Sequence, residues 1–167
     1  VDVGSLVNLA TLLAVVAGIV FGVAQLRDND RNRRAVAAAE LVRNIFGSEF
    51  QRTIMVVASL PDGVGEEELR ARGEEVEEAV VTVTHTWETV GWLVYRRAIE
   101  LAALEEYAGG YLLASWRKLG DLIHARRKAS GRANDGEWFQ WLVERVQEHP
   151  LPWKAQGAHV ALRSWEP

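Results

Sequence analysis

The sequence predicts an all-α protein: one N-terminal transmembrane helix, then a cytoplasmic helical bundle of about five helices. Three observations lead there. Residues Val3 to Leu26 run for 24 positions without a charged side chain, and Arg27, Arg31, Arg33 and Arg34 follow at once. The remaining apolar residues recur at helical spacing in several blocks. Strand signals are sparse, and the one β-prone stretch, Val80 to Thr84, lies inside a longer helical pattern.

The uncharged run is long enough to span. At about 1.5 Å per residue it reaches roughly 36 Å, against a hydrocarbon core of about 30 Å. Thirteen of its residues are Leu, Ile, Val or Phe, each favouring insertion by about 0.3–0.6 kcal/mol near the bilayer centre. Ser5, Asn8 and Gln25 sit near its ends. A cleaved signal peptide would have a basic start and a shorter apolar core. An interfacial helix would need a charged face. Basic residues stay on the cytoplasmic side, so the amino end is expected outside and the rest of the chain inside. Ala10, Ala14, Gly18 and Gly22 recur every four residues, and Gly18 to Gly22 is a G-x-x-x-G match. Small residues in such a stripe let two membrane helices approach closely, which would favour a homodimer.

Residues 27–46 read as a stiff helical connection, because Ala35 to Phe46 is rich in alanine. Residues 47–149 hold the bundle, and 150–167 form an irregular tail punctuated by Pro and Gly. Within the bundle, Ser48 and Gln51 match a capping box at the start of a helix running to about Leu60. The next helix is expected to be the longest. It starts in Glu66 to Glu68, whose charge suits a helix amino end, and runs to about Arg97. It carries Val76, Val80, Val83, Trp87, Val90 and Val94 at 4-3-4-3-4 spacing, a heptad seam that requires a partner helix. Gly91, beside the seam, suits close packing. A short helix from Ile99 to Tyr107 is expected to end at Gly109 and Gly110. Its successor carries Leu112, Trp116, Leu119 and Ile123 on one face and stops at Gly131. Asp135 is expected to cap a last helix with Trp138, Phe139, Leu142 and Val146 on its apolar side.

Phe46 to Phe50, Gly91 to Arg96, Trp116 to Leu119 with Arg126 and Arg127, and Glu137 to Leu142, taken in that order, resemble an uncharacterised bacterial family, domain-of-unknown-function family number 4760. The resemblance covers most of residues 1 to 148. It implies architecture only, an amino-terminal membrane span and a compact helical domain; the expected place at the bacterial inner membrane rests on the uncharged run and the arginines that follow it. The resemblance implies no activity, and no residue inherits a catalytic role from it.

Chemistry-bearing patterns are few. There is no cysteine, no Gly-x-Ser-x-Gly elbow and no glycine-rich phosphate loop. Di-iron bundles use Glu-x-x-His pairs on facing helices. The nearest approaches here are Asp121 with His124 and, in reverse order, His85 with Glu88. These four residues are the metal candidates, set against the chance pairings expected among 4 His and 23 acidic residues. Residues 66–78 carry seven Glu against Arg70 and Arg72, which equals the net −5 of residues 35–167. That acidic balance disfavours nucleic acid, whose affinity comes from neutralised phosphates. It suits a basic protein partner or a solvated helix end. Seven tryptophans are many for this length. Trp87, Trp116 and Trp138 fall on apolar stripes, whereas Trp92 and Trp141 fall off them. The expected function is a membrane-tethered, non-enzymatic interaction module, an accessory subunit or scaffold without cofactor. The alternative is a small-ligand or metal-binding sensor or enzyme with a site between helices.

Overall fold

The computed structural model describes residues 46–151 and 157–166, together with Phe21, Gln25 and Arg43. The chain divides into two units, Val1–Leu41 and Val42–Pro167. Most of the described residues belong to the second. The predicted span apart from Phe21 and Gln25, its small-residue stripe Ala10, Ala14, Gly18 and Gly22, and the arginines at 27, 31, 33 and 34 lie outside the described residues. Among those described, no helix is long and apolar enough to cross a membrane.

Every regular element among the described residues is helical: α1 (Ser48–Ala58), α2 (Glu66–Ala71), α3 (Glu74–Tyr95), α4 (Leu101–Ser130), α5 (Glu137–Glu148) and α6 (Ala158–Ala161). Helix α3 packs most extensively on α1 and α5, and α4 closes the bundle against α5 and α1. The heptad seam therefore finds its partners within the chain. Val80, Val83, Trp87, Val90 and Val94 are buried, and only Val76, at the outer end, is half-exposed. Trp87 is the hub. Its ring lies 5.6 Å from both Phe46 and Phe50 on one side and 6.2 Å from Phe139 on the other.

Four boundaries differ from the sequence reading, each for a local reason. Ser48 is the first helical residue of α1, not its cap; extended Gly47 takes that position and accepts the Gln51 N–H, so no capping box forms. The expected helix from Glu66 to Arg97 is two helices. Gly73, at φ +96°, breaks it by adopting a conformation that L side chains rarely reach. Conversely, Gly109 and Gly110 do not end a helix. They lie inside the 30-residue α4, the longest described element. Each glycine costs about 1 kcal/mol relative to alanine. The buried row from Leu104 and Ala108 to Leu112, Leu119 and Ile123 continues on both sides of them and outweighs that cost. Finally, α5 is capped at Gly136, not Asp135. The Asp135 carboxylate instead accepts the Ser130 hydroxyl at 3.1 Å, and its carbonyl accepts Arg127 Nε.

The connections are pinned by backbone groups. Gly63 and Val64 donate their N–H groups to the carbonyls of Arg117 and Lys118 on α4, at 3.0 and 3.1 Å. Asp62 holds both of those side chains, at 3.1 and 2.7 Å. After α3 the Ala98 N–H reaches back to Leu93 O at 2.9 Å and the Arg97 N–H to Val94 O. This is the helix-ending motif that usually places glycine in the left-handed position; here Arg97 holds it, at φ +57°. Gly131, at φ +68°, ends α4 as the sequence reading expects. The tail is tied at its start by the Leu151 N–H, which donates to the buried Glu105 carboxylate at 3.1 Å.

Candidate functional site

Two surfaces carry chemistry beyond packing: a groove beside α3 and an aromatic face at the other end of the same helix. The seam turns Val80, Val83 and Trp87 into the core, so Val81, His85 and Glu88 fall on the outer side of α3. There they line a groove of about 450 Å³ with Leu122, Ile123 and Arg126 of α4 and Asn134, Asp135 and Gly136 of the following turn. The floor is apolar and the rim is polar. Gly136 is required in this turn: its φ is +70°, and a Cβ there would lie 2.7 Å from Ile123 Cγ2. The Arg127 side chain locks the turn from below, donating to Asp135 O and Gln140 Oε1.

Glu88 has a structural task within this groove. Its Oε1 accepts the Phe139 N–H at 2.7 Å, in the first turn of α5. Helix α5 has no side-chain cap of its own, so a carboxylate from α3 stands in. Burial of the carboxyl raises its pKa above the usual value, opposed by the N–H groups of Phe139 and Trp138. Arg126 is already engaged, with Nε 2.9 Å and Nη2 3.3 Å from the two Glu66 oxygens. That guanidinium holds the Glu66 carboxyl below its usual pKa. A second, shallower depression bounded by Glu66, Arg70, Ala129 and Ser130 shares Arg126 and Asp135 with the groove.

The metal candidates are divided by the fold. His85 and Glu88 line the groove. Asp121 lies on α4 beside Gly63, whose added Cβ would sit 2.7 Å from Asp121 Oδ2. His124 stacks edge-on against Trp116, with ring centroids 5.6 Å apart. Among the described residues no three His, Asp or Glu side chains are grouped to hold a metal ion. The acidic stretch is partly internally paired, Glu66 with Arg70 and Glu68 with Arg72.

The tryptophans are more exposed than their stripes predict. Trp87 is fully buried, but Trp116 and Trp138 are half-exposed. Tyr95, Trp138 and Trp141 form one cluster, with Tyr95 4.9 Å from Trp138 and Trp141 5.9 Å from Trp138. Trp92, one helical turn before Tyr95, is 47% exposed and Tyr95 57%. Close approach of α5 at Gly91 produces this face: a Cβ at Gly91 would lie 2.8 Å from the Trp138 carbonyl carbon. Sequence reasoning missed Arg126, Asn134 and Asp135 as groove residues. The available signal was the outward 81-85-88 row opposite the seam, which marks one wall and not the other.

The chain belongs to the family described as Domain of unknown function (DUF4760), which matches residues 12–146. No curated protein matches it, and no solved structure does.

Proposed function

We propose that the protein is a membrane-tethered, non-enzymatic helical interaction module, an accessory subunit or scaffold whose bundle faces the cytoplasm. The aromatic face formed by exposed Trp92 and Tyr95 with half-exposed Trp138 and Trp141 carries this reading. Large aromatic side chains are enriched where proteins meet other proteins, because they bury much area at low entropic cost. The tether rests on the uncharged run Val3 to Leu26 and the arginines that follow it. Pairing of two copies through Ala10, Ala14, Gly18 and Gly22 belongs to the same reading.

The test is made on the full-length chain in native membranes. Alkaline extraction should leave it in the membrane pellet; release into the supernatant would remove the tether. A photo-crosslinking residue at Trp92 or Tyr95 should capture one heterologous protein reproducibly, and one at Met55, on the outer side of α1, should not. Equal capture at all three positions, or none at any, removes the interaction reading.

A further inference from the structure

We propose that the outer face of α3 is an interface between two copies of this chain, paired antiparallel about a two-fold axis. This goes beyond the interaction reading: a second copy covers the face while no heterologous partner is on it. Helix α3 carries two rows at heptad spacing. The inward row is the buried seam, which finds its partners in α1 and α5. The second row is Glu78, Val81, His85, Glu88, Trp92 and Tyr95, spaced 3-4-3-4-3 on the outer side. It is left largely open. Val81 and Trp92 are each 47% exposed and Tyr95 57%; Glu78 and His85 are exposed, and only Glu88 is half-buried. At the Tyr95 end the row is widened by Trp138 and Trp141.

Charge along the same helix selects the occupant. The amino end of α3 holds Glu74, Glu75, Glu77 and Glu78, and Arg96 and Arg97 follow its last residue. Among the described residues none of these six forms an ion pair. A helix that is acidic at one end and basic at the other complements itself when reversed. In one register the layers of an antiparallel coiled coil form along the outer row. Val81 of one copy packs on Trp92 of the second, His85 meets Glu88, and Glu78 meets Tyr95 and Arg96. A two-fold axis makes each contact twice. The polar layer of His85 and Glu88, between apolar ones, fixes the register. Sliding one copy by a heptad sets Glu78 against the half-buried Glu88 in one direction and carries it past the end of α3 in the other. Parallel pairing sets each charged residue against its own counterpart. Orientation and register are thus decided by repulsion in the alternatives as well as attraction in the pair.

The experiment is disulfide mapping of the purified full-length chain in lipid vesicles. The chain has no cysteine, so an introduced thiol reports one position. Chains carrying Val81→Cys and chains carrying Trp92→Cys, distinguished by tag length, are oxidised mildly, alone and after mixing. The mixture should give the mixed disulfide at several times the yield of either chain alone, because residue 81 faces residue 92 of the second copy and not itself. One of the two Val81–Trp92 contacts survives in that mixed pair. Glu78→Lys or Arg96→Glu, added to both chains, should lower the yield roughly tenfold, since each acts twice and turns attraction into repulsion. The two together should restore it, because the charges are then exchanged and still complementary. Both positions are exposed, so the bundle itself is spared. No mixed disulfide, equal yields from the single chains and the mixture, or no recovery in the doubly exchanged variant each overturns the proposal. No other protein is present, so such a failure leaves capture of a heterologous protein from native membranes untouched, and failure of that capture leaves this pairing untouched.

Discussion

The Glu88 carboxylate on α3 accepts the Phe139 N–H in the first turn of α5, at 2.7 Å and 51 residues away in sequence. One side chain thus serves as the cap of a helix it does not belong to. It also docks that helix against α3, where Gly91 meets the Trp138 backbone.

Replacing the cap separates its two components. Glu88→Ala leaves the N–H without its acceptor and is expected to cost about 1 kcal/mol, the usual range for a lost cap. Glu88→Gln keeps an acceptor and removes the burial cost of the charge, so it should be neutral or stabilising at pH 7. Denaturant unfolding of both variants beside the wild type measures the difference. A larger loss for Gln than for Ala would contradict the capping role.

The same residue sets a pH signature. Its folded pKa is raised, so the folded state holds the proton more tightly than the unfolded chain. Stability from this group is present below the unfolded value and declines as pH rises through the raised folded value. Glu66 behaves oppositely. Its folded pKa is lowered by Arg126, so its contribution is present above the unfolded value and is lost as pH falls through the folded one. Glu88→Gln should flatten the decline on the alkaline side of the usual carboxylate range. Arg126→Leu should flatten the loss on its acid side. Thermal midpoints measured between acid and neutral pH decide both.

Gly91→Ala should destabilise the bundle by about 1–3 kcal/mol, the cost of overpacking a close contact. The new Cβ would lie 2.8 Å from the Trp138 carbonyl carbon and 3.0 Å from Trp138 Cβ, and backbone cannot turn aside as a side-chain tip can. Gly110→Ala, with nothing within 4 Å of its added Cβ, should stabilise α4 by up to about 1 kcal/mol. The two substitutions, compared by urea unfolding, must move in opposite directions.

Arg97 sits in the left-handed position after α3, at φ +57°. An L residue there is strained by about 1–2 kcal/mol relative to the right-handed helix region. Arg97→Gly is expected to stabilise the domain, by somewhat less than that because glycine gains freedom in the unfolded chain. A lower midpoint for Arg97→Gly would mean that the Arg97 side chain contributes contacts outweighing the strain.

The sequence by itself determined the helical class, the inward seam of α3 and the glycine that ends α4. Each is a local property: a spacing of 3 and 4 along one segment, or a residue free to take positive φ. Metal candidates could be proposed from spacing, but only packing showed His85 and Glu88 in one groove and Asp121 and His124 elsewhere on α4. Tertiary structure also decided the cases where local preference and packing compete. Gly109 and Gly110 are helix breakers in isolation, yet a continuous buried face carries α4 through them. Asp135 and Ser48 are good caps in sequence, yet glycines hold both cap positions. The α5 amino end is satisfied by Glu88, an acceptor from a distant part of the chain. Such outcomes depend on which groups folding brings together, and that information is absent from any single window of residues.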